Sequence, residues 1–168
     1  MSRGGARTLS LDTSYEAVPE SVGQARRALA ELAELGGASE EDLERIRLAA
    51  SEAVSNAVIH AYGHGGPGAV TLTAAVIDAE LTVIVADDGC GFGGAPESQG
   101  LGIGLAVIAQ LCDSLSMIAR SSGGTQMEMR FRLAHGQGAG AELDSGSKRR
   151  ERRAISAAIR GARPASTR

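Results

Sequence analysis

The sequence has 168 residues, a formal net charge of −3 and an aromatic content of 2%. This length suits one domain with an aliphatic core, and the scarcity of aromatic side chains argues against recognition of nucleic-acid bases by stacking. No apolar run approaches the roughly 20 residues of a membrane span, the N-terminus lacks the apolar stretch of a secretory signal, and two cysteines without metal-type spacing suit a reduced, cytoplasmic protein.

The charge is divided unevenly along the chain. Residues 1–133 contain 9 Lys/Arg and 17 Asp/Glu, a net of −8, whereas residues 134–168 contain 8 and 3, a net of +5. We therefore expect a flexible N-terminus over 1–7, an acidic folded domain over 8–133 and a basic, mostly disordered tail over 134–168. A solvated tail is the simplest interpretation of that composition, and contact with an acidic partner or nucleic acid is the alternative.

One strand and two helices are predicted at the start of the domain. The alternation in 8–12 indicates a strand. Pro19 suits the first turn of a helix that ends at Gly36; its predicted apolar face consists of Val22, Ala25, Leu29, Leu32 and Leu35. Ser39 is the predicted N-cap of a second helix that runs to Tyr62. Its apolar residues recur at the three-and-four spacing of a buried face.

Two hairpins and a third helix follow. Strands are predicted over 69–77 and 80–86, joined by Asp78-Ala79, and over 115–120 and 125–133, joined by 121–124. A helix over 103–112 separates the two hairpins. This mixture favours an α/β (α+β) two-layer sandwich over a doubly wound parallel sheet.

The second helix also has a polar stripe, made of Glu52, Asn56 and His60. These residues are four apart, so they lie on one side of the helix. On its own, such a stripe is best interpreted as a solvated edge.

The strand over 80–86 leads into an acidic, glycine-rich turn. A carboxylate at this point, Asp87, can accept a hydrogen bond from an exocyclic amine such as that of adenine. Gly89 and Gly91 permit a tight turn and leave space for a flat ring. The alternative is an ordinary Asp-Gly turn.

Three glycines precede the third helix: Gly100, Gly102 and Gly104. Backbone amides at a helix N-terminus form an anion site suited to phosphate. The dinucleotide fingerprint does not fit, because it should follow a first strand and open a crossover helix. The phosphate-loop pattern does not fit either, since no Lys-Ser/Thr follows. A flexible loop is the alternative.

The order of these motifs is more specific than any one of them. A helical Glu-x-x-x-Asn, a strand-end Asp-x-Gly-x-Gly and a Gly-x-Gly-Leu before a helix resemble the GHKL (Bergerat) ATPase fold of DNA gyrase, MutL-type repair proteins, a large heat-shock chaperone and histidine kinases. Residues 51–62 and 105–113 most resemble the bacterial anti-sigma-factor serine/threonine kinases. The resemblance covers about 8–133 and implies a mixed, mostly antiparallel sheet with helices on one face.

The resemblance also implies roles for the residues around the phosphates. Asn56 would coordinate Mg²⁺, Glu52 would be the general base, and His60 would lie nearby. Backbone amides that contact the phosphates would come from Gly102, Gly104 and Leu105.

For the adenine, the resemblance implies a pocket built from the strand ends. Asp87 would bind the exocyclic amine, and Gly89 and Gly91 would shape the pocket. The Thr125 hydroxyl would lie near the base.

The implied function is that of an ATP- and Mg²⁺-dependent serine/threonine kinase that phosphorylates an anti-sigma-factor antagonist and sequesters a sigma factor. A cytoplasmic homodimer is expected, with no membrane partner and no direct nucleic-acid binding apart from the tail. The segment 92–99 contains no Arg or Lys, so a nucleotide-gated binding protein with little or no kinase activity is the alternative. A structural domain whose glycines only form turns is the third hypothesis.

Overall fold

A computed structural model describes residues 8–62, 68–89 and 101–134, without the side chains of 60–62 and 101–102. The described residues belong to one compact unit that ends at Gly136. The predicted flexible N-terminus and most of the basic tail lie outside them, so these domain limits stay predictions. The helices and strands, in chain order, are β1 (Leu9–Glu16), α1 (Pro19–Leu35), α2 (Glu40–Tyr62), β2 (Ala69–Ile77), β3 (Glu80–Asp87), α3 (Leu101–Leu111), β4 (Ser114–Ala119) and β5 (Thr125–Arg132).

The strands form one sheet in the order β1-β2-β3-β5-β4, and each described pair of neighbours is antiparallel. Every second residue of β2 and of β5 is buried, as expected when one face of a sheet is covered. Helix α1 packs on β1 and β2, α2 packs on β2, β3 and β5, and α3 packs on α2. The predicted two-layer sandwich is confirmed. None of the described helices has the length and apolar character that a bilayer crossing needs.

The core is aliphatic, as the composition predicts. Its fully buried members include Leu72 and Val83 from the sheet and Ile46 and Val54 from α2. Phe131 is the one fully buried aromatic side chain among the described residues. The apolar stripe predicted for the second helix is therefore its core face.

The hairpin between β2 and β3 has the predicted two-residue turn. Asp78 and Ala79 have φ values of 47° and 61°, and Ile77 pairs with Glu80 across the turn. Positive φ at both central positions is the geometry of a type I′ turn, whose twist matches that of the strands.

Two of the predicted elements differ in extent or in their buried face. Strand β1 runs to Glu16, because each of its residues pairs with β2, from Leu9 opposite Val76 to Glu16 opposite Ala69. The prediction of a strand over 8–12 was too short. Leu35 is 75% exposed, so its placement on the apolar face of α1 was wrong; it is the last residue of the helix.

Ser39 caps α2, as predicted. Its Oγ accepts a hydrogen bond from the Asp42 backbone N–H (3.2 Å), and the Asp42 carboxylate accepts one from the Ser39 backbone N–H (3.1 Å). This reciprocal arrangement is a capping box with Asp in place of the usual Glu.

The buried Asp42 carboxylate also joins distant parts of the chain. It accepts hydrogen bonds from Arg45 (2.7 Å) and from the backbone N–H of Ala134 (2.8 Å), beyond the end of β5. Arg45 in turn donates to the Arg132 carbonyl and lies 5.7 Å from the centre of the Phe131 ring. Asp42 therefore fixes the last strand against α2.

The protein should lose stability in acid through this group. Burial raises the pKa of Asp42, but the hydrogen bonds from Arg45, Ser39 and Ala134 outweigh burial and hold the pKa below its ordinary value of 3.8. A lowered folded-state pKa contributes stability that is present above 3.8 and is lost as the pH falls through the lowered pKa. We expect Asp42→Asn to cost about 2 kcal/mol near neutral pH and to flatten the acid limb of stability in urea titrations between about pH 5 and pH 2.

The matched control for this prediction is Glu40→Gln. It removes an ion pair with Arg47 whose side chains are 76% and 42% exposed, and such pairs contribute about 0–1 kcal/mol. Equal losses in the two variants, or an unchanged acid limb in Asp42→Asn, would contradict the role of Asp42.

Candidate functional site

Helices α2 and α3 meet at Glu52, Asn56 and Gly104. A Cβ atom placed on Gly104 would lie 3.0 Å from Oε2 of Glu52 and 3.4 Å from Nδ2 of Asn56. Glycine therefore lets the start of α3 approach the polar stripe of α2 closely. The helical Glu-x-x-x-Asn motif and the Gly-x-Gly-Leu motif are therefore in contact, although Asn56 and Gly104 are 48 residues apart in the sequence.

Asn56 has a buried polar atom that needs a partner. Its side chain is half-buried, and its Nδ2 is shielded from solvent without a hydrogen-bond partner among the described residues. Buried side-chain polar atoms are nearly always paired. A carboxamide can present either its oxygen or its nitrogen in a given direction, so this group is suited to bind a ligand atom beside Glu52 and Gly104.

Asp87 ends β3 and is only 4% exposed. Its Oδ1 accepts hydrogen bonds from the backbone N–H groups of Gly89 (2.9 Å) and Thr125 (3.2 Å). No donor from the described residues reaches Oδ2. The carboxylate is thus held in place through one oxygen, and the other is free to accept from a ligand.

The β4–β5 hairpin packs directly on the Asp87 backbone. Gly124, at φ +84°, lies so close that a Cβ atom would be 2.0 Å from the Asp87 carbonyl oxygen. The same oxygen accepts a hydrogen bond from Arg120 at 2.8 Å. The sequence did not indicate Arg120, because its partner is 33 residues away and nothing local indicates their contact.

The topology places Asn56 and Asp87 at the same end of the domain. Helix α2 ends at Tyr62, and the next strand begins at Ala69. Its second residue, Val70, is the cross-strand partner of Asp87. The C-terminal half of α2, with Asn56, therefore leads to the end of the sheet at which β3 finishes with Asp87.

The remaining predicted site residues are only partly described. Thr125 is 6% exposed and begins β5, and Leu105 packs on the core from α3. Gly102 lies in the first turn of α3, and His60 lies in α2 but its side chain is outside the described part. Gly91 and the segment 92–99 also lie outside the described residues.

The described residues contain no group of three or more His, Cys, Asp or Glu that could hold a metal. Mg²⁺ in nucleotide sites is commonly bound by one or two protein carboxylates together with substrate phosphates and water. An oxygen ligand from a carboxamide, with a carboxylate nearby, fits this ion.

Comparison with known proteins decides the family. The family model of the histidine kinase-like ATPase domain matches residues 15–131, a span that includes all three helices, the β2–β3 hairpin and all but the last residue of the β4–β5 hairpin. The chain belongs to this family. The membership predicted from the motifs is thereby confirmed, and an ATPase domain implies that the chain binds ATP.

Within this family, the chain is similar to anti-sigma factors and serine-protein kinases. The chain is similar to the anti-sigma F factor of Clostridium acetobutylicum, with 29% identity over 135 residues, 74% of this chain and 94% of that protein. It is 41% identical over 92 residues to the serine-protein kinase RsbW of Bacillus licheniformis, 55% of this chain and 58% of that protein. The match thus spans little more than half of the RsbW protein.

A solved structure agrees with the fold. The crystal structure of the RsbU and RsbW domains of a Mycobacterium tuberculosis protein matches with a TM-score of 0.58 and 26% identity. The match covers 74% of this chain and 32% of that one. A single domain of the larger protein is therefore sufficient to account for the likeness.

Proposed function

We propose that the protein is an ATP- and Mg²⁺-dependent serine/threonine kinase of the anti-sigma type. It phosphorylates an anti-sigma-factor antagonist and sequesters a sigma factor in the cytoplasm. The observation that carries this proposal is the contact of Gly104 with Glu52 and Asn56. It joins a helix start, a carboxylate and a carboxamide whose buried Nδ2 has no partner among the described residues. The names of the relatives support the same class.

In this proposal the adenine binds at Asp87. Its exocyclic amine donates to Oδ2, the oxygen that the Gly89 and Thr125 amides leave free. The Thr125 hydroxyl lies at the same strand end and can contact the ring. Gly124 and Arg120 hold the Asp87 backbone, so they position the carboxylate without touching the base.

The phosphates bind where α3 begins. Backbone N–H groups at a helix N-terminus attract anions, and Gly104 keeps this end against Asn56. Asn56 would hold Mg²⁺ through its carboxamide oxygen. The ion would supply the neutralisation of phosphate charge that phosphoryl transfer requires.

Glu52 acts as the general base. The carboxylate takes the proton of the acceptor hydroxyl as the hydroxyl oxygen forms its bond to the γ-phosphorus and the bond from that phosphorus to the β–γ bridging oxygen breaks. ADP leaves and the partner carries a phosphoserine or phosphothreonine. Positioning and charge stabilisation provide most of the rate in such reactions, so one base, one metal and an amide cradle form a complete set of parts.

A nucleotide-gated binding protein with little transferase activity is the second candidate. It is favoured by the segment 92–99, which contains no Arg or Lys. Among the described residues, Arg120 donates to the Asp87 carbonyl at the adenine end of the proposed site. The kinase names of the relatives weigh against this candidate.

A phosphoryl-transfer assay distinguishes the kinase from the nucleotide-gated binding protein. The full chain is incubated with γ-³²P-ATP, Mg²⁺ and purified candidate antagonists, one at a time. Label on a partner serine or threonine supports the kinase, whereas an ATP-dependent rise in melting temperature without label supports the gate. If ATP leaves the melting temperature unchanged, the protein is a structural domain and the proposal is wrong. Pull-down of a sigma factor with ATP and with ADP tests the sequestering function.

Asp87→Asn should reduce or reverse the preference of the site for adenine over hypoxanthine. The Asn side chain can keep its oxygen toward the Gly89 and Thr125 amides and would then present an NH₂ group to the adenine amine, donor against donor. We expect ATP affinity to fall about 10- to 100-fold, the scale of a hydrogen bond to a charged group. Inosine triphosphate, whose ring carries an acceptor at that position, should lose less affinity.

Isothermal titration with both nucleotides checks this prediction. The wild type should prefer ATP, and the variant should show a smaller or reversed preference. A parallel loss for both nucleotides would indicate damage to the fold and not loss of adenine recognition.

A further inference from the structure

Two exposed aliphatic side chains share α2 with Glu52, and a third lies at the start of α3. Leu48 and Ile59 on α2 are 47% and 66% exposed, and Ile103, next to Gly104 on α3, is 77% exposed. Isolated exposed aliphatic residues are normal on protein surfaces. These three lie on the two helices that meet at Glu52, the carboxylate to which the proposed kinase must bring the hydroxyl of its protein substrate.

Helix geometry places two of them in line with Glu52. At 3.6 residues per turn, Leu48, Glu52 and Ile59 point within about 40° of one another. Leu48 lies about 6 Å before Glu52 along the axis and Ile59 about 10 Å after it, at a rise of 1.5 Å per residue. Gly104 approaches Glu52 closely, so the backbone of Ile103, the preceding residue, also lies near Glu52.

We propose that Leu48, Ile59 and Ile103 form the acceptor surface, on which the phosphorylated segment of the antagonist docks. This inference rests on the proposed function. A segment that presents a hydroxyl to Glu52 and covers the aliphatic residues on both sides of it must run along α2 here. The residues that flank the hydroxyl then cover Leu48 on one side and Ile59 on the other, and removal of aliphatic surface from water stabilises the complex.

The charge along the same face defines the occupant further. Glu41 and Glu44 are exposed and continue the line of Leu48 toward the start of α2. None of the ion pairs between described residues involves them. The occupant is therefore a segment with aliphatic residues on both sides of its serine or threonine and a basic residue beyond the one that contacts Leu48.

Two substitutions test the acceptor surface: Leu48→Ser and Ile59→Ser. The probe is the purified antagonist that takes up label from γ-³²P-ATP in the experiment described above. We expect each variant to raise the KM for the antagonist about tenfold or more, as loss of a large apolar contact should. The kcat at saturating antagonist and the affinity for ATP should stay within about twofold of wild type.

Leu35→Ser and Ile118→Ser are the matched controls. Both side chains are as exposed as the tested ones, at 75% and 54%, but they lie at the end of α1 and on the edge strand β4. The KM for the antagonist should not change in either. An equal change in the controls would show that the effect is not specific to the acceptor surface.

Other occupants give different outcomes. An unchanged KM in Leu48→Ser and Ile59→Ser overturns the inference and leaves the kinase intact. A change confined to oligomeric state assigns this face to a second copy of the chain, and a change confined to capture of the sigma factor assigns it to that protein. Absence of label with wild type and every antagonist overturns the proposed function, and this inference with it.

Discussion

Glu52→Gln is expected to slow phosphoryl transfer by about 100- to 10,000-fold, the usual contribution of a general base. The Gln amide has the same shape as the Glu52 carboxylate, whose Oε2 lies 3.0 Å from a Cβ atom built on Gly104. The contact between α2 and α3 should therefore survive. The change removes the proton acceptor and leaves the Asn56 carboxamide in place. ATP affinity should therefore remain within about twofold of wild type. Initial rates of ³²P transfer at saturating ATP and antagonist, with titration of ATP by calorimetry, provide the two measurements.

The control for this variant is Glu31→Gln. It makes the same change in charge at an exposed position of α1, far along the chain from the polar stripe, and should leave the transfer rate unchanged. If Glu52→Gln retained the wild-type rate, Glu52 would not be the base. If ATP affinity fell in parallel with the rate, Glu52 would act in nucleotide binding.

The elements of this fold could be predicted because their signals are local. Alternation over 69–77 and 80–86, with a two-residue connection, specified a hairpin, and the structure has one with positive φ at Asp78 and Ala79. Ser39 was recognisable as an N-cap from its position before three acidic residues. Element type and turn position therefore followed from the residues themselves.

Contacts between distant parts of the chain could not be predicted in that way. The order of the strands places β5 between β3 and β4, and no local pattern specifies such neighbours. The length of β1 was underestimated because β2 sets it: eight consecutive residues of β1 have a partner there. Arg120 and the link from Asp42 to Ala134 depend on partners 33 and 92 residues away.

The candidate site could be predicted from the sequence in part. Each of its motifs has an ordinary explanation as a turn, a loop or a solvated stripe, and only their order pointed to a nucleotide. The contact of Gly104 with Glu52 and Asn56 adds a physical reason for that order. What the residues alone did not indicate is the support beneath the carboxylate, where Gly124 and Arg120 fix the backbone of Asp87.

Gly124→Ala is expected to disrupt that support and the fold around it. The residue has φ +84°, where a side chain costs about 1–2 kcal/mol, and the added methyl would lie 2.0 Å from the Asp87 carbonyl oxygen. Neither backbone can yield without moving the strand end and its hydrogen bonds to Gly89 and Thr125. We expect a loss of more than about 3 kcal/mol in the free energy of unfolding, measured in urea, and a loss of ATP affinity of at least about tenfold.

Gly123→Ala separates the steric part of this effect from the conformational part. Gly123 has a similar φ of +92°, but its Cβ would meet nothing closer than the Gly89 carbonyl oxygen at 3.7 Å, an ordinary contact. Its substitution should therefore cost only the backbone term, about 1–2 kcal/mol, and leave ATP affinity nearly unchanged. Equal losses in the two variants would mean that conformation alone makes glycine necessary in this hairpin, and that close packing on Asp87 does not shape the adenine site.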